Sequence, residues 1–197
     1  MPVPRAVKGA LIKKMFNWYA RQTGRNPFVT AMSGLKNKKF AYHVRRSTAS
    51  YRVKHRLRLV LLYLFAEAEN RLVVGAANRT EYEIGYFVKH GCDHGNDVMP
   101  LQGLYKAQVF QLARHLSVPA AIIEKAPSPD VVPGIVDEEA IGMSYEQLDP
   151  ILLALDKGWS RSKTAAAVGI EEARVEYVEE LIRASGHMRQ VYAPSPP

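Results

Sequence analysis

LVVGAANRTEYEIGYFVKHG, residues 72–91, decides how this chain is read. Leu72, Val73 and Val74 form an apolar run that stops at Gly75, which predicts a short buried strand over Leu72–Gly75. A helical stretch is predicted over Thr80–Lys89, with Asn78, Arg79, Glu81 and Lys89 placed around it. One reading is plain: a strand ends, a turn follows, and an amphipathic helix begins. The other is that a strand end meeting a helix is where open α/β sheets put ligands.

Composition narrows the choice. The chain has 197 residues, enough for one α/β domain with a core, or a domain and an appendage. Hydrophobic residues make up 47%, a globular level rather than a disordered one. Cys92 is the single cysteine, so a disulfide framework is excluded and a reducing, cytoplasmic setting is expected. The longest apolar run, Leu59–Ala66, is far below the ~20 residues that span a bilayer, so no membrane partner is expected. Arg5, Lys8, Lys13 and Lys14 interrupt any secretory apolar core.

Charge is placed unevenly. Residues 1–60 hold 15 of the 27 Lys and Arg and no acid; the first carboxylate is Glu67. A basic first third attracts polyanions or is simply a solvated face. It also has the look of an organelle transit peptide, against which Trp18, Tyr19 and Phe28 read as packing residues.

Along the chain, Ala6–Arg21 has helical spacing and Gly24 and Pro27 end it. Residues 31–50 read as a Lys-rich loop or linker, and Arg52 to about Asn70 as a long helix buried over much of its surface. This divides the chain into a basic N-terminal helix and linker, 1–50, and an α/β region with a helical tail, 51–197. GLYKAQVFQLARHL repeats Val109, Leu112, Ala113 and Leu116 at helical spacing; VPAAIIEK is a second short helix. Ser144 and Gln147 have capping-box form ahead of the helix holding Leu148–Leu155. One convincing strand cannot make a sheet, so other strands are unrecognised here or supplied from elsewhere.

Several residues invite chemistry. Lys54, Arg56 and Arg58 cluster within a turn and a half and suit an anion, or solvent. Glu81, just past a strand end, suits Mg²⁺ beside a triphosphate, or is an ordinary acid. Cys92, Asp93, His94 and Asp97 share one loop, but zinc is not expected there: a site wants three or four ligands, and no second cysteine supports it. Lys106 near a helix start and Ser128 in KAPSPD can each reach a phosphate, or serve as solvated group and loop cap. Residues 162–182 read as two helices joined at Gly169, with Ala166 and Val175 packing across the turn, which matches a helix-turn-helix. Its second helix carries Glu171, Glu172, Glu176, Glu179 and Glu180, which would repel a phosphate backbone, so nucleic acid is disfavoured.

Taken in order, RVKHRLRLVLLYLFAEAENRLVVGAANRTEYEIGYFVKHG, then DVMPL and GLYK, then KAPSPD, then DEE, IGMSYEQLD and a closing HMR, resemble the C-terminal part of ammonia-dependent NAD synthetase. The resemblance runs from about Arg52 to Arg189. It implies an α/β fold, here a partial Rossmann-like parallel sheet flanked by helices, with a helical C-terminal region. It also implies a reaction. ATP, with Mg²⁺, adenylates the nicotinate carboxylate of deamido-NAD, and ammonia displaces AMP to give NAD. The resemblance carries Arg56, Lys89, Asp97 and His187 to deamido-NAD, Ala76, Lys106 and Ser128 to ATP, and Glu81 to the metal. It implies a homodimer as well, for which the apolar helix at Leu59–Ala66 is a suitable interface.

The departures matter as much. Ala76 stands where a threonine is usual, Ser128 stands for threonine, and Met188 replaces the lysine of a His-Lys pair. The loop before Asp97 is one residue longer than usual. The Ser-Gly-Gly-x-Asp-Ser phosphate turn is missing; SGLKNKK at 33–39 lacks its second glycine and its aspartate. Without those glycines, no backbone N–H cradle wraps the pyrophosphate. The chain therefore reads as the second half of a synthetase: a truncated product, one subunit of a split enzyme, or a non-catalytic paralogue. The phosphate loop, or a glutaminase supplying ammonia, would come from a separate chain.

Overall fold

A computed structural model describes Lys14, residues 38–128 and residues 135–190. The helix expected over Ala6–Arg21 and the SGLKNKK segment lie outside these, save Lys14, Lys38 and Lys39. The described elements are α1 (Lys38–Ala68), α2 (Arg79–Ile84), α3 (Lys106–His115), α4 (Ala120–Ile123), α5 (Asp137–Ile141), α6 (Tyr145–Asp156), α7 (Arg161–Val168) and α8 (Glu172–Ser185). A 3₁₀ turn, Gly186–Met188, closes the series. No described helix is long and apolar enough to cross a membrane.

Residues 38–50, read from composition as linker, are helical. Neither Pro nor Gly interrupts Lys38–Ala68, so once the helix is nucleated nothing in the sequence stops it until Asn70 turns left-handed, at φ 53°. The strand expected at Leu72–Gly75 shrinks to one parallel bridge, Val74 with Val98, the only pairing among the described residues. The Gly75 N–H donates to the Val98 carbonyl at 2.8 Å, and Asp97 N–H to Val73 at 3.0 Å.

The chain forms two compact units. In the first, residues 1–54 and 110–145, Ile135, Ala140, Ile141, Met143 and Tyr145 are buried. Tyr145 donates its hydroxyl to Asp137 at 3.1 Å and its N–H to Glu138 at 2.9 Å, which satisfies the start of α6.

The second unit, residues 55–109 and 146–197, holds most of the assigned residues. Its centre is Ile84, Val88, Leu148, Ile151, Leu152, Val175, Val178 and Leu181, all essentially fully buried. Each such side chain contributes about 1.5–3 kcal/mol of transfer free energy. α8 packs on both α2 and α7. The α7–α8 turn sits at Gly169, φ 73°, as the helix-turn-helix reading requires. Its packing register differs by one: Thr164 and Ala165 are buried with Val175, while Ala166 faces solvent. Two of the expected acids, Glu176 and Glu179, pair with Arg161 at 3.2 and 2.7 Å.

The predicted helix at Thr80–Lys89 is also shorter, ending at Gly85 with φ 73°. A side chain there would stand 2.2 Å from Ser185 Cβ, so the glycine lets the end of α2 lie against α8.

Beyond residue 54, α1 docks onto the loop at 91–97 through His55, Leu59 and Tyr63, four residues apart and hence on one face. Two glycines allow the approach. A Cβ on Gly91 would meet His55 at 3.0 Å, and one on Gly95 would meet Leu59 at 2.6 Å. Tyr63 locks the loop, its one hydroxyl proton shared between the Gly95 carbonyl at 3.0 Å and Asp97 at 2.9 Å. The expectation that the helix from Arg52 to about Asn70 is buried over much of its surface does not hold: Leu57, Val60, Leu61, Leu64 and Phe65 are exposed, Val60 and Phe65 at 64% each.

Candidate functional site

Asn78 begins the site. Its side chain accepts from the Glu81 N–H at 3.0 Å, and the Glu81 carboxylate accepts from the Asn78 N–H at 3.2 Å, a reciprocal cap that starts α2. The cap fixes Glu81, whose other oxygen meets Lys106 Nζ at 3.1 Å with both side chains only 15% exposed. Lys106 in turn opens α3. Its N–H donates to Thr80 Oγ1 at 2.9 Å, Thr80 donates to Asp149 at 2.6 Å, and Ala107 N–H donates to the other Asp149 oxygen at 2.7 Å. Asp149 thus holds the start of α3 to α2, and burial pushes its carboxyl above the usual carboxylate range.

Glu81 was assigned to a metal, Lys106 to ATP phosphate, and the two assignments meet in one ion pair. An ionised carboxylate is a hard oxygen donor of the kind Mg²⁺ prefers. Mg²⁺ typically takes one or two carboxylates with water and phosphate oxygens, so Glu81 fits as its protein ligand.

Lys89 lies past the Gly85 turn. Its Nζ donates to the His187 carbonyl at 3.0 Å and to the Gln190 carbonyl. Arg56 of α1 donates to the Lys89 carbonyl at 3.3 Å. Arg56, Lys89 and His187, all assigned to deamido-NAD, therefore gather around the C-terminal turn, with the His187 ring exposed and its Nδ1 3.1 Å from the Ala184 carbonyl. Arg189 staples that turn to α2 through the Glu83 carbonyl, at 2.5 Å, the Ser185 hydroxyl and the Ile182 carbonyl; burial lowers its pKa.

Asp97, Ala76 and Ser128 complete the assigned residues. Asp97 is an anchor: one oxygen accepts from Tyr63, the other from Val73 N–H at 2.8 Å. Ala76 is exposed between the bridge and α2. Ser128 belongs to the first unit, where its hydroxyl donates to the Ile135 carbonyl at 3.2 Å. Sequence reading passed over Thr80, Asp149, Tyr63 and Arg189. Thr80, two residues after an N-cap asparagine, has a local signal; the defining contacts of the others are distant, 34 residues from Tyr63 to Asp97, 69 from Asp149 to Thr80 and 106 from Arg189 to Glu83.

The comparisons follow from this order of elements. The family model described as NAD synthase matches residues 11–192. The NH(3)-dependent NAD(+) synthetase of Thermotoga maritima is 44% identical over 145 residues, 74% of this chain and 49% of that protein. That of Hyperthermus butylicus is 47% identical over 154 residues, 77% of this chain and 55% of its own length. The chain thus spans about half the length of the curated relatives it matches. Among solved structures, the NMN synthetase from Francisella tularensis superposes with a TM-score of 0.62 at 32% identity, over 76% of this chain and 56% of that one. An NH3-dependent NAD synthetase from Campylobacter jejuni gives 0.57 at 17% identity, over 94% and 63%, a likeness of fold.

Proposed function

The chain belongs to the NAD synthase family, and from that premise we propose that it carries the second half of an ATP-dependent amidation site. The reaction is amidation of the nicotinate carboxyl of deamido-NAD by ammonia through an adenylated carboxylate, in NAD biosynthesis. The observation that carries the reading is the Glu81–Lys106 pair, held at the starts of α2 and α3 by a capping box and by Thr80 with Asp149. A lysine kept at 15% exposure beside the Glu81 carboxylate is positioned to turn its charge onto a phosphate when one arrives.

In this reading Lys106 and Ser128 bind ATP phosphates, and the chain at Ala76 passes beside the nucleotide. Glu81 would hold Mg²⁺, which supplies charge neutralisation on the phosphates. Arg56 and Lys89 supply the cations of the wall for deamido-NAD, His187 adds a hydrogen-bonding ring, and Asp97 keeps the loop in front of it. The surrounding sheet is read as a partial Rossmann-like parallel one, of which the Val74–Val98 bridge is a part. The exposed apolar face of α1 supports a homodimer, and in this reading a separate chain supplies the phosphate turn. Activation of a carboxylate as an acyl adenylate turns a poor electrophile into a good one, and fixed cations lower the barrier as charge shifts. The setting in this reading is cytoplasmic.

The test supplies ATP, Mg²⁺, deamido-NAD and ammonium and follows NAD and pyrophosphate, with calorimetric binding of each nucleotide in parallel. Deamido-NAD is expected to bind, and Lys106→Ala to weaken ATP by about tenfold to a hundredfold. A folded chain that binds neither nucleotide refutes the proposal. The mononucleotide analogue is run alongside, since one solved relative is named for NMN.

A further inference from the structure

The loop that docks on α1 brings together three groups the reaction does not use. His55 is on α1, whereas Cys92 and Asp93 follow Gly91. Cys92 Sγ lies 3.4 Å from His55 Nδ1, and Asp93 Oδ1 lies 3.5 Å from the same nitrogen. All three donor atoms fall within 4.8 Å of one another. We propose that His55 Nδ1, Cys92 Sγ and Asp93 Oδ1 form a site for a Zn²⁺-class cation, with solvent in the fourth position.

The geometry is that of a tetrahedron's edges. Bonds of about 2.0–2.1 Å to nitrogen, 2.3 Å to sulfur and 2.0–2.2 Å to oxygen give edges of roughly 3.5 Å from N to S and 3.3–3.5 Å from N to O. Both match the observed separations, and the S-to-O edge, within 4.8 Å here, closes to roughly 3.6 Å by rotation of the cysteine side chain. The Asp93 oxygen facing the cluster is buried and accepts no hydrogen bond, while its other oxygen accepts from Val88 N–H at 3.1 Å. That is how a single-oxygen metal ligand is oriented: one oxygen fixed by the backbone, the other presented. The backbone is tied as well, since Cys92 N–H donates to the His55 carbonyl at 3.3 Å. Mixed sulfur, nitrogen and oxygen donors select zinc-like ions over Mg²⁺, so this site and the Glu81 assignment call for different metals. On binding, the sulfur–metal bond forms as the thiol proton leaves to water. Arg58, which also reaches the Cys92 sulfur, stays as an outer donor to it.

The consequence is structural: a cation here fastens α1 to the loop that holds Lys89 and Asp97. The whole chain, stripped with chelator, is titrated with Co²⁺ as a spectroscopic probe. One equivalent is expected to bring a thiolate-to-cobalt charge-transfer band in the near ultraviolet, displaced by Zn²⁺ and unaffected by Mg²⁺. Cys92→Ser abolishes the band, and His55→Gln or Asp93→Asn weakens Co²⁺ binding about tenfold or more. Zn²⁺ also slows alkylation of Cys92 in the unmodified protein, a readout that needs no variant. If the band is absent at one equivalent, or if saturating Zn²⁺ leaves the alkylation rate unchanged, the three residues are a hydrogen-bonded cluster only and the site does not exist.

Discussion

Replacing Gly85 by alanine separates two costs that the structure places in one residue. Its φ of 73° is left-handed, where an L side chain costs about 1–2 kcal/mol. Gly169 has the same φ, 73°, yet a Cβ there meets nothing within 4 Å. Gly169→Ala therefore reports the backbone cost alone, expected at about 1 kcal/mol once the reduced freedom of the unfolded chain is credited. At Gly85 the new methyl would lie 2.2 Å from Ser185 Cβ and 2.9 Å from its hydroxyl oxygen. Ser185 Cβ is attached to α8, and its hydroxyl donates to Leu181 at 2.8 Å, so it cannot swing aside. Relief requires α8 to move off α2, an overpacking cost of about 1–3 kcal/mol more. Gly85→Ala is thus expected to destabilise by about 2–4 kcal/mol. Urea unfolding of both variants, read by circular dichroism with equal m-values, measures the difference. Equal losses at the two glycines would show that the α2–α8 contact is not tight.

Other perturbations test the same frame. Burial holds the folded Asp149 carboxyl above its unfolded value, so its contribution is fully present below the unfolded pKa and is lost as pH rises through the folded one. The stability of the native protein relative to Asp149→Asn should therefore decline as pH rises above about 4, and denaturant titrations across that range that stay parallel would contradict it. Tyr63→Phe removes the one hydroxyl donor shared by the Gly95 carbonyl and Asp97 and is expected to cost about 1 kcal/mol, with faster proteolysis inside residues 91–97.

The sequence made the local features legible and left the distant ones hidden. Gly169 between α7 and α8 follows from short-range turn chemistry and the structure places the turn there, while the structure adds two equally local caps, Asn78 with Glu81 and Ser160 before α7. Gly85 was read through as helix because its reason, Ser185, lies a hundred residues on. The linker reading of 38–50 gave weight to lysines and polar residues, although the absence of Pro and Gly was the stronger signal. The pairing of Lys106 with Glu81 needed the fold, since both residues had been assigned separately from ordered motifs. His55 went unnoticed beside Cys92 for the same reason: 37 residues separate them, and periodicity says nothing about which helix face meets which loop.

Arg189 has a consequence for the timing of synthesis. Its guanidinium satisfies the Glu83 carbonyl, 106 residues earlier, and Lys89 waits for carbonyls at His187 and Gln190. A ribosome releases the chain in order, so α2 and the Lys89 wall emerge long before the groups that complete them. Until Arg189 has cleared the exit tunnel, the end of α2 stays open to water and to chaperones. Completion of the second unit therefore requires translation of nearly the whole stretch from His55 to Gln190.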